Sequence, residues 1–186
     1  MPMSDLELLQ AWSTGDSVAG NALLERYFAP LHRFFVNKVD HEIDDLVQRT
    51  MLCCVQHQAK VAEARSFRAY AFRIARNELY DHLRRRVADR EVDFTVSSVM
   101  DLGTSPSVRV DAEDRQQRVR QAMRCLPVDL QIALELHYWE DLSGSELAEA
   151  LEIPHGTAKS RLRKAKLELE RALNRAALGL TMPTRE

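Results

Sequence analysis

Two stretches of the 186-residue chain concentrate residue types that can hold a polyanion. Between Arg65 and Arg90 stand eight arginines against three acids, interleaved with Phe67, Tyr70, Phe72 and Tyr80. Guanidinium groups neutralise phosphates and aromatic rings stack on unpaired bases, so this mixture suits a single strand of nucleic acid. Phe67 and Ile74 read instead as core. A solvated helix end would accommodate Arg84, Arg85 and Arg86, yet three adjacent arginines point in different directions around a helix, and at least one should reach a phosphate. The second stretch, residues 155–175, has seven basic and two acidic side chains, and the acids, Glu168 and Glu170, come late. Ala158, Leu162, Ala165, Leu169 and Leu173 recur there at spacings of four, three, four and four, an apolar helical stripe. Opposite it lie Thr157, Ser160 and Lys164, flanked by Arg161 and Arg163. The plain alternative is a solvated amphipathic helix. The capped helix and short turn just upstream favour a recognition helix whose N-terminal half enters a major groove.

Other chemistry finds little support. His32, His41, His57, His82, His137 and His155 are scattered without paired ligand spacing, and no Gly-rich phosphate loop or nucleophile motif accompanies them. His32, on an apolar helical face, reads as packed rather than catalytic. Cys53 and Cys54 are adjacent and Cys125 is remote, so neither a disulfide framework nor a structural zinc site is expected, and a reducing compartment fits. No catalytic residue, metal or cofactor is expected, and the chain reads as a non-enzyme. The first residues lack a basic region followed by an apolar stretch, so no secretion signal is visible. No run approaches the roughly 20 apolar residues that span a bilayer. A soluble cytoplasmic protein, with no membrane insertion, is the expectation.

The elements that must position these residues are helices. Leu, Ala, Arg and Glu dominate, aromatic residues stay at 6%, and 45% of residues are hydrophobic. Leu6, Leu9 and Trp12 mark an opening helix, and 16–36 a second. Residues 40–44 form a polar break that caps a third helix carrying Leu46, Val47, Met51, Leu52 and Val55. Residues 56–65 read as a polar connection, and 66–86 as a long helix. Val119, Met123 and Leu126 line another, and Pro127 sits where the next can begin without its N–H. Ser143 and Glu146 have the spacing of a capping box for a short helix ending at Leu151. After Pro154 and Gly156, Thr157 opens the last helix, to about Arg175. Short helix, tight turn, basic helix is a helix-turn-helix.

The formal net charge of −2 hides a pattern. Residues 1–90 hold 13 basic and 12 acidic side chains, 115–186 hold 12 and 10, and 91–114 hold one and six. That middle stretch collects Ser, Thr, Gly and Pro and loses the helical period. The fold class is therefore all-α: two small helical domains, 1–92 and 111–180, joined by a flexible acidic linker, 93–110, the second domain a helix-turn-helix. Residues 176–186 read as a frayed tail.

The run from Phe67 to Arg86, FRAYAFRIARNELYDHLRRR, resembles the promoter-melting and −10-reading segment of extracytoplasmic-function (ECF) sigma factors of the sigma-70 family. Asp44 to Thr50, DDLVQRT, is similar to that family's helix that docks on the clamp of core RNA polymerase. LPVDLQ from Leu126, then the segment Leu142 to Ala165, resemble its −35-reading domain. The three motifs occur in order and span nearly the whole chain.

What the resemblance implies is a factor that binds core RNA polymerase, recognises −35 and −10 promoter DNA and promotes melting. The first domain would be sigma-70 region 2 and the second region 4. Asp44, Asp45 and Gln48, neighbours on one helical side, would contact polymerase. Arg73, Arg76, Asn77, Tyr80, Arg84 and Arg85 would line the −10 path, and 58–65 would be the loop that captures a flipped-out base. Thr157, Lys159, Ser160, Arg161, Arg163 and Lys164 would carry −35 binding. The acidic linker would run through the RNA-exit path, and an anti-sigma factor is a family-typical partner. One position departs from the family pattern: Arg49 stands where an acid is usual. Phosphorylation of neighbouring Thr50 by a Ser/Thr kinase would restore the lost negative charge; an ordinary packed threonine is the alternative. The rival reading of the whole chain is a stand-alone helix-turn-helix transcriptional regulator, which would leave 44–50 and the Arg/aromatic segment unexplained.

Overall fold

Ser4 starts the first helix with a reciprocal cap: its hydroxyl accepts from the Glu7 N–H at 3.3 Å, and the Glu7 carboxylate accepts from the Ser4 N–H at 2.6 Å. In the computed structural model, which describes residues 3–64, 66–87, 91–103 and 115–177, this helix is α1 (Asp5–Ser13). Asp16 caps α2 (Ser17–Val36) by accepting from the N–H groups of Val18 and Ala19. The two helices meet where the Trp12 indole presses on Gly20; an added Cβ there would lie 2.6 Å from the ring, so only glycine permits the approach. Helices α3 (Ile43–Gln56), α4 (Gln58–Glu63) and α5 (Phe67–Arg86) follow. Leu23, Leu31, Phe35, Leu46, Phe72, Leu79 and Leu83 are almost wholly buried among these helices.

Helix α6 (Arg115–Arg124) precedes α7 (Val128–Tyr138), α8 (Gly144–Leu151) and α9 (His155–Ala177). Nine of the eleven residues of α7 are buried, so it is covered on all sides rather than along one stripe. One side, with Ile132 and Leu136, joins the core built by α2 and α5; the other, with Leu130 and Leu134, packs on Met123, Ala165 and Ala172 of α6 and α9. Burying a side chain of that size stabilises by about 1.5–3 kcal/mol. Thus α7 fastens the second group of helices to the first, and α8 lies along α5.

The all-α expectation holds: among the described residues the only strand-like feature is an isolated bridge between Ser98 and Pro127. Three local expectations change. The polar connection after α3 contains α4. The break before α3 supplies no side-chain cap; Glu42 takes the N-cap position in the left-handed conformation, φ 62°, without a side-chain hydrogen bond. The described part of the linker is also no free tether. Phe94 and Val99 are buried, the carbonyls of Phe94 and Ser97 accept from the Asp129 and Val128 N–H groups that open α7, and Ser98 and Asp101 bond one another. The expected start of the second domain at residue 111 and most of the expected tail lie outside the described residues.

Candidate nucleic-acid interface

Local sequence sets the geometry of the helix-turn-helix. The Ser143 hydroxyl accepts from the Glu146 N–H at 3.3 Å, and the Ser143 N–H donates to the Glu146 carboxylate at 2.9 Å, the expected capping box. Helix α8 stops at Glu152, left-handed at φ 54°, and Pro154 leads into α9. The stripe of α9 turns inward, with Ala158 and Ala165 fully buried, which leaves Thr157, Lys159, Ser160, Arg163 and Lys164 exposed. Arg161 differs: its guanidinium lies 2.8 Å from the Asp129 carboxylate at the start of α7 and is only 20% exposed. A shallow cleft lined by Thr95, Asp129, Thr157, Ser160, Arg161 and Lys164 brings the linker alongside this face.

The six expected −10 residues all lie on α5, but not in one environment. Asn77, Arg84 and Arg85 are exposed, and Arg73 rides over the Tyr70 ring at 4.6 Å. Arg84 also reaches Asp81 at 3.1 Å. Arg76 is buried; it donates to the Ala150 carbonyl at 3.0 Å and to Glu152 at 2.5 Å, while its Nε has no partner. The Tyr80 hydroxyl donates to Asp129, and its ring stacks on Phe94 with centroids 4.1 Å apart and planes 9° from parallel. Burial first, and the Asp129 carboxylate second, raise the Tyr80 hydroxyl above its ordinary pKa. Helix α5 packs on α8 as well as on α3, so the side that carries Arg76 meets α8 instead of solvent.

On α3, Asp44, Asp45 and Gln48 are exposed together on one side, with His32 3.8 Å from Asp44. Arg49 pairs with Asp45 at 2.6 Å, one turn away. Thr50 requires a correction. Its side chain is 0% exposed and its hydroxyl donates to the Leu46 carbonyl at 2.8 Å, so a kinase would have to unwind α3 to reach it. The buried hydroxyl removes the basis for a phosphorylation switch and for a Ser/Thr kinase as partner. The base-capturing loop expected at 58–65 is mostly the helix α4, and Arg65 lies outside the described residues.

A set of residues outside the expected binding sites joins the two groups of helices. Lys38, fully buried, donates to Glu135 and to the Phe34 carbonyl, and Asn37 and Gln131 donate to the same Glu135 carboxylate. Burial pulls the Lys38 ammonium below its ordinary value against the opposing pull of Glu135. Arg33 forks onto Glu140, and Arg68 onto Glu146. Burial acts to raise the Glu146 carboxyl, but hydrogen bonds from Ser66, Ser143 and Arg68 outweigh it and hold the pKa at about 2. The one hint in the sequence is the pair of polar residues Gln131 and Glu135 inside the otherwise apolar run from Leu130 to Leu136. Among the described residues no His, Cys, Asp or Glu group is arranged to hold a metal, the three cysteines are free, and no helix is long and apolar enough to cross a membrane.

Comparison with known proteins meets this geometry from outside. Family models described as Sigma-70 region 2 and Sigma-70, region 4 match residues 23–88 and 116–169. The chain is 27% identical over 180 residues to the ECF RNA polymerase sigma-E factor of Haemophilus influenzae, covering 90% of this chain and 94% of that one. It is 28% identical over 182 residues to the ECF RNA polymerase sigma factor SigM of Mycobacterium tuberculosis, covering 96% and 89%. Two solved structures share the fold. CnrH in complex with the cytosolic domain of CnrY has a TM-score of 0.67 at 20% identity, over 91% of this chain and 97% of that one. Sigma factor RpoE of Bartonella quintana, in complex with the anti-sigma factor NepR, has a TM-score of 0.62 at 22% identity, over 83% and 96%. With both sigma-70 regions in order along one all-helical chain, the protein belongs to the ECF group of the sigma-70 family of RNA polymerase sigma factors.

Proposed function

We propose a division of labour at the level of residues for this chain, an RNA polymerase sigma factor acting in promoter recognition and transcription initiation. Asp44, Asp45 and Gln48 dock on core RNA polymerase; Arg73, Arg76, Asn77, Tyr80, Arg84 and Arg85 hold the melted −10 strand; Thr157, Lys159, Ser160, Arg161, Arg163 and Lys164 read the −35 duplex. On this reading 1–92 and 111–180 are the working domains, separated by 93–110. The protein acts in the cytoplasm, catalyses nothing itself and contributes binding energy to the polymerase. Its control is by a protein partner of the anti-sigma kind, a reading supported by the complex in which the B. quintana relative was solved.

The observation that carries the proposal is the exposed polar face at the start of α9, five side chains able to contact DNA directly after a capped helix and a left-handed turn. Phosphate contacts there set affinity and base contacts set specificity. The test is transcription reconstituted with core polymerase from a promoter library. Selection of one −35 and one −10 sequence, with Lys164→Ala weakening and Ser160→Ala shifting the −35 preference, is expected. A chain that binds duplex DNA as a dimer and never co-purifies with core polymerase would instead be a stand-alone regulator.

A further inference from the structure

Helix α8 opens on a residue without a side chain, and the first residue of α9 takes the space beside it. A Cβ added to Gly144 would lie 2.9 Å from His155 Nε2 and 3.6 Å from its Cδ2, so the imidazole rests against the first turn of α8, where a side chain at 144 would stand. His155 is nonetheless exposed, and neither ring nitrogen has a hydrogen-bond partner among the described residues. At Gly156, next along, an added Cβ would meet nothing within 4 Å and the backbone is not left-handed, so no contact inside the chain calls for glycine. A bare backbone of this kind lets another molecule come close. Residues four apart share a helical face, so His155, Lys159 and Arg163 form an exposed column along α9, beside Thr157, Ser160 and Lys164.

We propose that His155 is a further DNA contact of the −35 module: its imidazole donates from Nε2 to a backbone phosphate beside the first turn of α8, and Gly144 is the position that makes room for it. The inference rests on the reading of α9 as the −35 recognition helix. In a helix-turn-helix the first helix crosses the DNA backbone while the second enters the major groove, so a ring lodged where the two helices start faces a phosphate rather than a base edge. Phosphate contacts fix register and orientation and carry no sequence information directly. His155 thereby sets how α9 sits in the groove, while Ser160 and its neighbours meet the bases. A histidine resting on a helix backbone does this at lower conformational cost than a lysine in its place, because fewer side-chain torsions must be fixed on binding.

The experiment uses polymerase holoenzyme carrying the full-length chain and duplexes with the −35 sequence it selects, in which single methylphosphonate linkages neutralise one phosphate at a time. Circular dichroism and melting temperature establish that each variant is folded. Wild type is expected to lose affinity at several linkages. His155→Ala should bind the unmodified duplex about five- to tenfold more weakly, equally for all −35 sequences, and one of those linkages should cost it nothing further. His155→Gln, which keeps an N–H donor of similar reach, should retain most of the affinity. Gly144→Ala displaces the ring while favouring the helix, so it should reproduce the loss at the same linkage without lowering the melting temperature; should it perturb α8, His155→Ala decides alone. An unchanged linkage pattern in folded His155→Ala, or a loss confined to particular −35 sequences, overturns the contact. A holoenzyme indifferent to both His155→Ala and Lys164→Ala would instead overturn the −35 reading of α9, and the contact with it.

Discussion

Lys164 and Glu146 illustrate how neighbouring charges acquire different work. Lys164 is exposed on the outward face of α9, so its charge is available to a phosphate. Replacing it with Ala should weaken duplex binding by the holoenzyme about equally for all sequences and reduce the slope of log affinity against log salt by about one, measured by titration across salt concentrations. Glu146 is turned the other way, into a cap and a cross-module ion pair with Arg68. Its carboxyl is held at about 2 in the folded chain against an ordinary 4.5, so the unfolded state binds the proton more readily. The stability it contributes is therefore fully present above pH 4.5 and is lost as pH falls toward 2. Glu146→Gln should lower stability by roughly 1–2 kcal/mol at neutral pH, and its denaturation midpoint should fall less than that of wild type on acidification from about pH 5 to about pH 3. An equally steep fall in both proteins would assign the acid response to other carboxylates.

At the scale of elements, the exposed side of α3 gives the most direct test of polymerase docking. Asp45→Ala with Gln48→Ala alters only exposed side chains, so helicity and melting temperature should stay near wild type while core binding weakens several-fold in a pull-down titration. Helices with strong local signals are legible in the sequence itself. Asp16, Ser66 and Ser143 are caps by residue type, and the 3.6-residue period locates α2, α5 and α9. Where local signals are weak, the pattern misleads for identifiable reasons. Helix α4 is six residues long and polar, too short for a period to show. Segment 93–103 is ordered by turn chemistry, Asp93 accepting from Thr95 and Ser98 exchanging bonds with Asp101, and by two buried anchors, Phe94 and Val99, which form no repeat. The charged neighbours of Thr50 suggest an outward hydroxyl, yet the residue falls on the inward face with Leu46, one turn earlier.

At the scale of the whole molecule, the contacts that couple the two groups of helices link residues far apart in sequence, such as Lys38 with Glu135 and Arg33 with Glu140, which no local pattern announces. The same coupling places Arg76 and Tyr80 in an interior seam rather than on a solvent-facing path, so the residue types of the site are readable in the sequence and their surroundings are not. Lys38 is the most demanding of these links. Its ammonium is fully buried, and the attraction of Glu135 together with the bond to the Phe34 carbonyl offsets its desolvation. Removing one partner leaves a buried charge without compensation, a loss of about 3–5 kcal/mol, whereas replacing both by apolar groups of similar volume is often neutral. Lys38→Met alone should therefore lower the urea midpoint sharply, and Lys38→Met with Glu135→Leu should recover most of the loss. Because the pair sits between α2 and α7, the single variant should also split one unfolding transition into two when followed by hydrogen exchange, α7 and α8 losing protection before α3 and α5. Simultaneous loss of protection in all four helices would mean that the modules stay coupled through the apolar seam alone.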